Sequence, residues 1–305
     1  MTLRAALAAV TVMCTAVPAL ARPRGPTLVA LAPADDARKA IALGPGGEVY
    51  TPDGKGEWIR SKAISTADPL AAAGRAGGAV VALGDGVVYR LADNGWSAIR
   101  LVQKGKAVMS GGGRAVAAVG RQVFALDRTA GGEPAKLALA PDPVLAIGSG
   151  AKGVVIVTAR GLLRLDGAAF KRIDRVRRVQ HLISDRWALT DRGAVDLRGG
   201  AITSWPAGLS VDVAAPGPDD GFVAVGVTRA GLELVTIAKA KVVRDPIAGT
   251  AGAKPAGVVL DKGGRATVAL TDGRLLHRDR GTWSTSTIRV ELPAGRPGAA
   301  PATSP

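Results

Sequence analysis

Histidine is scarce in this 305-residue chain, which contains only His181 and His277. Histidine is the usual general base, proton shuttle and metal ligand, so its scarcity limits the chemistry that the chain could perform. The two histidines are far apart in sequence, whereas zinc and haem motifs place their histidines or cysteines a few residues from each other. We therefore predict no metal site and no cofactor.

Three residues could still supply an acid and a base. His181, Asp212 and Asp261 lie in or just after short apolar segments. We expect these segments to be the innermost strands, next to a central channel. If they met in a central channel, they could serve a lyase or hydrolase acting on a glycan or a lactone. For His181 the alternative is a hydrogen-bonded residue that only lines the channel.

The other potential nucleophiles considered, two tyrosines and a cysteine, are not predicted to be catalytic. Tyr50 and Tyr89 occupy equivalent positions in a repeat, which is typical of packing residues. Cys14 is the only cysteine and lies in an apolar N-terminal run, so the mature chain is expected to contain no disulfide and no thiolate site.

Positive charge is the strongest compositional signal for a partner. Lys and Arg number 40 against 25 Asp and Glu, giving a net charge of +15. The densest basic run, with His181 close behind it, is the candidate binding site: Lys171, Arg172, Arg175, Arg177, Arg178 and His181. Such a run could bind a phosphate, a lipid headgroup or an acidic polysaccharide, or it could simply keep the surface soluble. Aromatic residues make up only 3% of the chain, so the sequence carries no specific nucleic-acid signal.

The N-terminus has the features of a secretory leader. Arg4 precedes an apolar run that ends at Ala19-Leu20-Ala21, a small-x-small cleavage site. We predict a signal peptide over residues 1–21 and a secreted or periplasmic protein, with no membrane span after the leader. An uncleaved signal anchor and lipidation at Cys14 are the alternatives.

The elements that must position these residues are repeated hairpins. Val81–Tyr89 and Val268–Leu276 align without a gap, each with an Asp-Gly turn between two apolar runs. Such a turn favours a β-hairpin because glycine adopts positive φ without a steric cost. Equivalent turn residues recur at a mean spacing of about 38 residues, which is typical of a four-stranded propeller blade: Gly47, Gly86, Arg121, Gly161, Gly193, Gly231 and Gly273. Trp58, Trp96, Trp205 and Trp283 follow four of these turns at one repeat position.

These repeats resemble those of secreted bacterial β-propellers, the broad group with WD-repeat-like and Asp-box-like members. The resemblance rests on the hairpins and on degraded Asp-boxes at Asp53–Trp58 and Asp279–Trp283. It implies an all-β, seven-bladed β-propeller of four-stranded antiparallel blades, with six or eight blades as alternatives. It says little about function, because propellers serve many functions.

We assign residues 22–292 to the propeller domain and residues 293–305 to a disordered tail rich in proline and alanine. Ring closure stays open, since Thr27–Leu31 could be the inner strand of the first blade or an outer strand of the last. The expected protein is a monomeric, exported, non-catalytic scaffold whose propeller face holds a protein, a peptide or an anionic glycan. The channel lyase or hydrolase is the alternative.

Overall fold

The structure is a computed structural model, and it describes most of the chain between residues 25 and 289. The described ranges are 25–32, 37–53, 57–60, 70, 72–76, 79–84, 87–92, 95–101, 107–110, 115–126, 134–173, 176, 178–205, 208–238 and 241–289. The predicted leader (1–21) and the predicted tail (293–305) lie outside these ranges, as do Arg175 and Arg177.

Within these ranges the chain forms 28 strands and one short 3₁₀ helix at Ala37–Lys39. Four consecutive strands make a unit in which each strand pairs antiparallel with the next. The first three units are β1 (Ala30–Ala32), β2 (Ile41–Leu43), β3 (Val49–Pro52) and β4 (Trp58–Arg60); β5 (Ala72–Ala76), β6 (Ala79–Leu83), β7 (Val87–Ala92) and β8 (Gly95–Arg100); and β9 (Ala107–Ser110), β10 (Val116–Val119), β11 (Gln122–Ala125) and β12 (Ala135–Leu139).

The next two units carry most of the predicted basic run. They are β13 (Ala146–Gly150), β14 (Gly153–Thr158), β15 (Gly161–Asp166) and β16 (Ala169–Arg172), then β17 (Val179–Leu182), β18 (Trp187–Thr190), β19 (Gly193–Asp196) and β20 (Ile202–Ser204). The last two are β21 (Ser210–Pro216), β22 (Phe222–Thr228), β23 (Gly231–Ala238) and β24 (Lys241–Ile247), then β25 (Pro255–Leu260), β26 (Ala266–Leu270), β27 (Arg274–Asp279) and β28 (Thr282–Arg289).

The β-propeller prediction is confirmed, but the prediction of seven four-stranded blades is wrong. Five blades are four-stranded sheets, and the remaining eight strands form one continuous sheet in the order β1-β2-β3-β4-β28-β27-β26-β25. The junction is a short parallel ladder in which Ile288 pairs with Trp58 and Arg289 with Ile59. The spacing of the hairpins reports only strand pairs that are close in sequence. It carries no information about whether β4, the outer strand of the first unit, pairs with β28, the outer strand of the last.

The innermost strands surround a central cavity. β1 contacts both β5 and β25, and the series continues through β9, β13 and β17 on one side and β21 on the other. The first strand is thus an inner strand next to the last unit, which settles the question of whether residues near Thr27–Leu31 begin the first unit or complete the last. The apolar segments that contain His181 and Asp212 and that precede Asp261 are observed as the inner strands β17, β21 and β25, as predicted.

The core lies between neighbouring units, since each sheet buries both faces. Leu83 of β6 packs in one cluster with Phe124 of β11. Trp58 packs with Leu275 in the cluster that joins the two halves of the eight-stranded sheet. Buried strands therefore read as continuous apolar runs, as in β10 (Val116–Val119).

The repeated tyrosines and tryptophans serve this packing. Tyr50 and Tyr89 are both buried in the third strand of their units. The Trp96 indole donates to the carbonyl of Gly47 at 2.9 Å, and the Trp205 indole donates to the carbonyl of Thr190 at 3.2 Å. These two hydrogen bonds therefore attach the fourth strand of a unit, or the residue just after it, to a hairpin turn.

Candidate binding face

Strand direction sorts the loops into two faces. The turns between second and third strands lie at the same end of the propeller as the connections from one unit to the next, because strands alternate in direction. We call this end the hairpin face and the other end the opposite face. Of the predicted basic run, Arg172 at the end of β16 and Arg178 just before β17 lie at the hairpin face.

Threonine shapes the turns of the hairpin face. The Thr190 hydroxyl donates to the carbonyl of Gly193 at 3.0 Å and accepts the amide of Arg192 at 3.2 Å. Thr158 and Thr228 make the same pair of contacts in the fourth and sixth units. A side chain that bonds its own turn on both sides stabilises a tight hairpin, so the residues at the tip project outward.

Arginines occupy the turns between second and third strands in four consecutive units. They are Arg121, Arg160, Arg192 and Arg229, and all four are exposed. The last three lie in Thr-x-x-Gly turns, whereas the turn of Arg121 has no threonine. These arginines are not part of the site predicted from the sequence, and the recurrence of arginine within three Thr-x-x-Gly turns is the signal that could have found them.

One of these arginines joins the predicted basic run in a groove. Arg160, Arg172 and Arg178 line a cavity of about 540 Å³ where the fourth unit meets its connection to the fifth. Aliphatic residues that include Val157, Ile173 and Val176 supply much of the remaining wall, together with Thr158, and the described lining residues include no aromatic side chain. We call this cavity the arginine groove. It combines positive charge at the rim with an apolar floor.

Internal ion pairs hold two of these arginines. Arg160 Nε lies 2.9 Å from Asp142 Oδ2, a contact that lacks hydrogen-bond geometry, and the Asp142 side chain is only 19% exposed. Arg178 Nη1 lies 3.7 Å from Asp191 Oδ2, and its side chain is 81% exposed. Arg178 also has a φ of 56°, in the left-handed region that non-glycine residues seldom adopt. An exposed pair such as Arg178–Asp191 contributes little free energy, so an anionic ligand could displace Asp191.

The structure divides the predicted site. Lys171 does not line the groove but pairs with Asp166 across the β15–β16 hairpin, with Nζ 2.5 Å from Oδ2. This hydrogen bond raises the pKa of Lys171 and lowers that of Asp166. Arg172 and Arg178 line the groove, whereas Arg175 and Arg177 lie outside the described residues.

His181 lies in the central cavity, next to the groove. The cavity measures about 340 Å³ and is lined mainly by small apolar residues of the inner strands, such as Ala30 and Ala214. Val179 of β17 lines the groove while His181 of the same strand lines the cavity, so β17 separates the two. Burial lowers the pKa of His181, and the charge of Asp212 and the carbonyl of Val211 partly offset this effect.

The three residues considered for acid–base chemistry are not all together. Asp212 lies within electrostatic reach of His181, at a register shift of the β21–β22 ladder. Asp261 does not line the cavity. It is buried and accepts hydrogen bonds from the amide of Ala37 at 3.3 Å and from Arg265 Nε at 2.8 Å. Asp261 is therefore a structural carboxylate that holds the connection between β25 and β26.

A third cavity, of about 290 Å³, lies where the first and last units meet. Its wall includes His277, Trp58 and the charged side chains of Arg38, Arg265, Arg278 and Asp279. The His277 ring stacks on Trp58 with centroids 6.0 Å apart, and burial lowers its pKa. Arg265 pairs with Asp261 and Arg278 with Asp245, so these guanidinium charges are compensated.

Two arginines of the opposite face are also compensated by ion pairs. Arg186 pairs with Asp196 and Arg198 with Asp220, each through a guanidinium nitrogen 2.9 Å from the carboxylate. Arg186 also lies over the Trp187 ring, with Cζ 5.2 Å from its centroid. This network links the fifth and sixth units, which indicates a structural role for its arginines.

The described residues contain no group of three or more His, Cys, Asp or Glu that could hold a metal ion. Over the same part of the chain, no helix is long and apolar enough to cross a membrane.

Comparisons with known proteins identify the fold. No protein-family model matches the chain, and no curated protein matches it by sequence. The WD40 β-propeller domain of Doa1 is similar in structure, with a TM-score of 0.59 at 12% identity over 83% of this chain and 92% of that one. YCF48 from Cyanidioschyzon merolae has a TM-score of 0.59 at 17% identity, over 84% and 96% of the two chains.

A chain from the mitotic checkpoint complex has a TM-score of 0.56 at 14% identity, covering 82% of this chain and 88% of that one. The chain is a β-propeller. At these identities the likeness establishes the fold alone, so function has to be argued from the propeller's own surfaces.

Proposed function

We propose that this propeller is an exported, monomeric binding scaffold that holds an acidic partner protein on its hairpin face. The observation that carries the proposal is the convergence of Arg160, Arg172 and Arg178 on one groove. The three come from a hairpin turn, a strand end and a connection between units, so the fold brings together charges that are separated in sequence.

The difference between the two faces supports this choice. On the opposite face, Arg186 and Arg198 are ion-paired within a network that joins neighbouring units. On the hairpin face, turn arginines are exposed in four consecutive units, and the contact of Arg178 with Asp191 at the groove is long and exposed. Complementary charge at a surface speeds encounter with an acidic partner and disfavours basic ones.

The alternative of a channel lyase or hydrolase has less support. Of its three candidate residues, Asp261 is engaged with Ala37 and Arg265 away from the cavity. His181 lies within electrostatic reach of Asp212, but of the two only His181 is among the described residues that line the central cavity. A binding scaffold, in contrast, requires no catalytic acid or base.

Site-specific photocrosslinking in the producing cells tests the proposal. A photoreactive residue at Ala159, in the exposed turn beside Arg160, should capture one defined protein. The matched control places the same residue at Ala168, in the exposed β15–β16 turn of the opposite face. Equal capture at both positions, or none at Ala159, would contradict a binding role for the hairpin face.

The export part of the proposal is tested separately by mass spectrometry of the mature chain. Cleavage after Ala21 should give a product that begins at Arg22 and appears in the periplasm or the medium. A cytoplasmic chain that retains Met1 to Ala21 would contradict export without bearing on the binding face.

A further inference from the structure

We infer that the arginine groove binds an acidic peptide segment that carries one aliphatic side chain between its carboxylates. This inference rests on the proposed function and deepens it, because it names the feature of the partner that the groove would recognise.

The floor accounts for the aliphatic side chain. Val157, Ile173 and Val176 line the groove beneath the arginines, and its volume of about 540 Å³ lies within the range of about 300–1,000 Å³ that is typical of ligand sites. Apolar surface in an open groove gains free energy when an apolar side chain covers it. A purely charged polymer would leave this surface in contact with water.

The rim accounts for the carboxylates. Arg160, Arg172 and Arg178 approach the groove from three segments of the chain, so a ligand lying along the floor could meet a guanidinium group on more than one side. Arginine binds a carboxylate through two parallel hydrogen bonds, which gives specificity for acidic side chains. Among the described residues that line the groove there is no aromatic side chain on which a base could stack.

The present partners of the arginines mimic such a ligand. Asp142 reaches Arg160 from the connection between the third and fourth units, and Asp191 reaches Arg178 from the next hairpin turn. A peptide carboxylate would have to replace these two. Removing Asp142 or Asp191 should therefore strengthen binding, whereas a merely structural role for the pairs would give no gain.

Fluorescence anisotropy with defined peptides tests the inference. The probe is a fluorescein-labelled Glu-Glu-Leu-Glu-Glu peptide, and the matched probe has serine in place of leucine. We expect the serine peptide to bind about tenfold more weakly, because it leaves the apolar floor uncovered. Equal affinities would show that the floor is unused and would overturn the inference.

Variants of the full-length chain locate the site. Arg160→Gln and Arg172→Gln should each weaken binding of the leucine peptide by about threefold, and Asp142→Asn should strengthen it by a similar factor. The control changes four exposed lysines of the opposite face to glutamine: Lys39, Lys152, Lys241 and Lys262. A similar loss in this control would indicate diffuse attraction and would contradict a site in the groove.

A second variant, a glycan probe and the crosslinking result complete the test. If the groove variants unfold, Ala159→Trp offers a second test, since its bulky side chain at the rim should block the peptide without removing a charge. If a heparin hexasaccharide binds the groove and the leucine peptide does not, the ligand is a glycan and the inference is wrong. Crosslinking at Ala159 with no peptide binding would overturn the groove inference while leaving the scaffold proposal intact.

Discussion

The Thr267 hydroxyl donates a hydrogen bond to the carbonyl of Ala37 at 2.9 Å, across 230 positions of the chain. Both residues are buried, so this bond ties the last unit to the first away from water. His277 Nδ1 lies 3.2 Å from the same hydroxyl oxygen. Because the Thr267 hydrogen is directed to Ala37, Nδ1 must carry the proton if it bonds to Thr267.

Thr267→Val should destabilise the propeller by about 1 kcal/mol or more, since it keeps the shape of the side chain but removes the buried hydrogen bond to Ala37 and the contact with His277. Urea denaturation followed by tryptophan fluorescence measures the change. Thr285→Val, at an exposed position on β28, is the control and should have little effect. Equal effects would show that the Ala37 bond contributes nothing to closure.

His277 should make stability depend on pH in the weakly acidic range. Burial lowers its pKa below the ordinary value of 6.5, so the unfolded chain binds a proton more readily than the folded one. Stability from this source is complete above pH 6.5 and is lost as the pH falls from there through the folded pKa. Denaturation at pH 7.5 and at pH 5.5 should show the loss in the wild type and a smaller loss in His277→Gln. An unchanged pH dependence in this variant would assign the effect to another group.

Two glycines at equivalent hairpins should respond differently to alanine. At Gly193 a Cβ would lie 2.2 Å from the carbonyl oxygen of Thr203, whereas at Gly161 it would meet nothing within 4 Å. Gly161 has a φ of 118°, so Gly161→Ala should cost about 1–2 kcal/mol from backbone strain alone. Gly193→Ala should lower the thermal midpoint further, because a backbone oxygen cannot move aside without breaking the β19–β20 ladder. Similar midpoints for the two variants would contradict this difference.

Asp261→Asn should act on stability. The carboxylate is buried and accepts the amides of Ala37 and Arg265 together with Arg265 Nε, so the substitution should cost about 1–3 kcal/mol. Burial raises the pKa of Asp261, but these hydrogen bonds outweigh that effect and lower it overall. The contribution of Asp261 to stability is therefore present above pH 3.8 and is lost as the pH falls. The stability of Asp261→Asn should decline less steeply with falling pH than that of the wild type.

The control for this prediction is Asp166→Asn. Asp166 forms an exposed ion pair with Lys171, so its loss should leave the thermal midpoint nearly unchanged. A midpoint lowered as much by Asp166→Asn as by Asp261→Asn would mean that burial does not distinguish the two carboxylates.

Local features of the chain were predictable because they depend on residues close in sequence. The hairpins around Arg121, Gly161, Gly193, Gly231 and Gly273 are all observed as second and third strands. A turn needs only its own few residues to form, so its sequence signal is self-contained. The buried tyrosines at one repeat position were predictable for the same reason, since equivalent positions meet equivalent neighbours.

The functional residues were predicted only in part. Arg172 and Arg178 line the groove as members of one run, but Lys171 pairs with Asp166 on its own hairpin. Neighbouring residues of a strand point to opposite faces, so a compact run of charge in the sequence is divided in the fold. Arg160 joins the site from another hairpin, which local sequence does not reveal.

By itself, the sequence determined the repeated hairpins, their spacing and the all-β class, because glycine turns and alternating apolar runs act over a few residues. Only the tertiary structure decided that Ile288 pairs with Trp58 to merge eight strands into one sheet, and that Asp261 serves Ala37 and Arg265 instead of the central cavity. Contacts of this kind depend on how the ring closes. Closure sets the distance between residues far apart in the chain, and no local pattern encodes that distance.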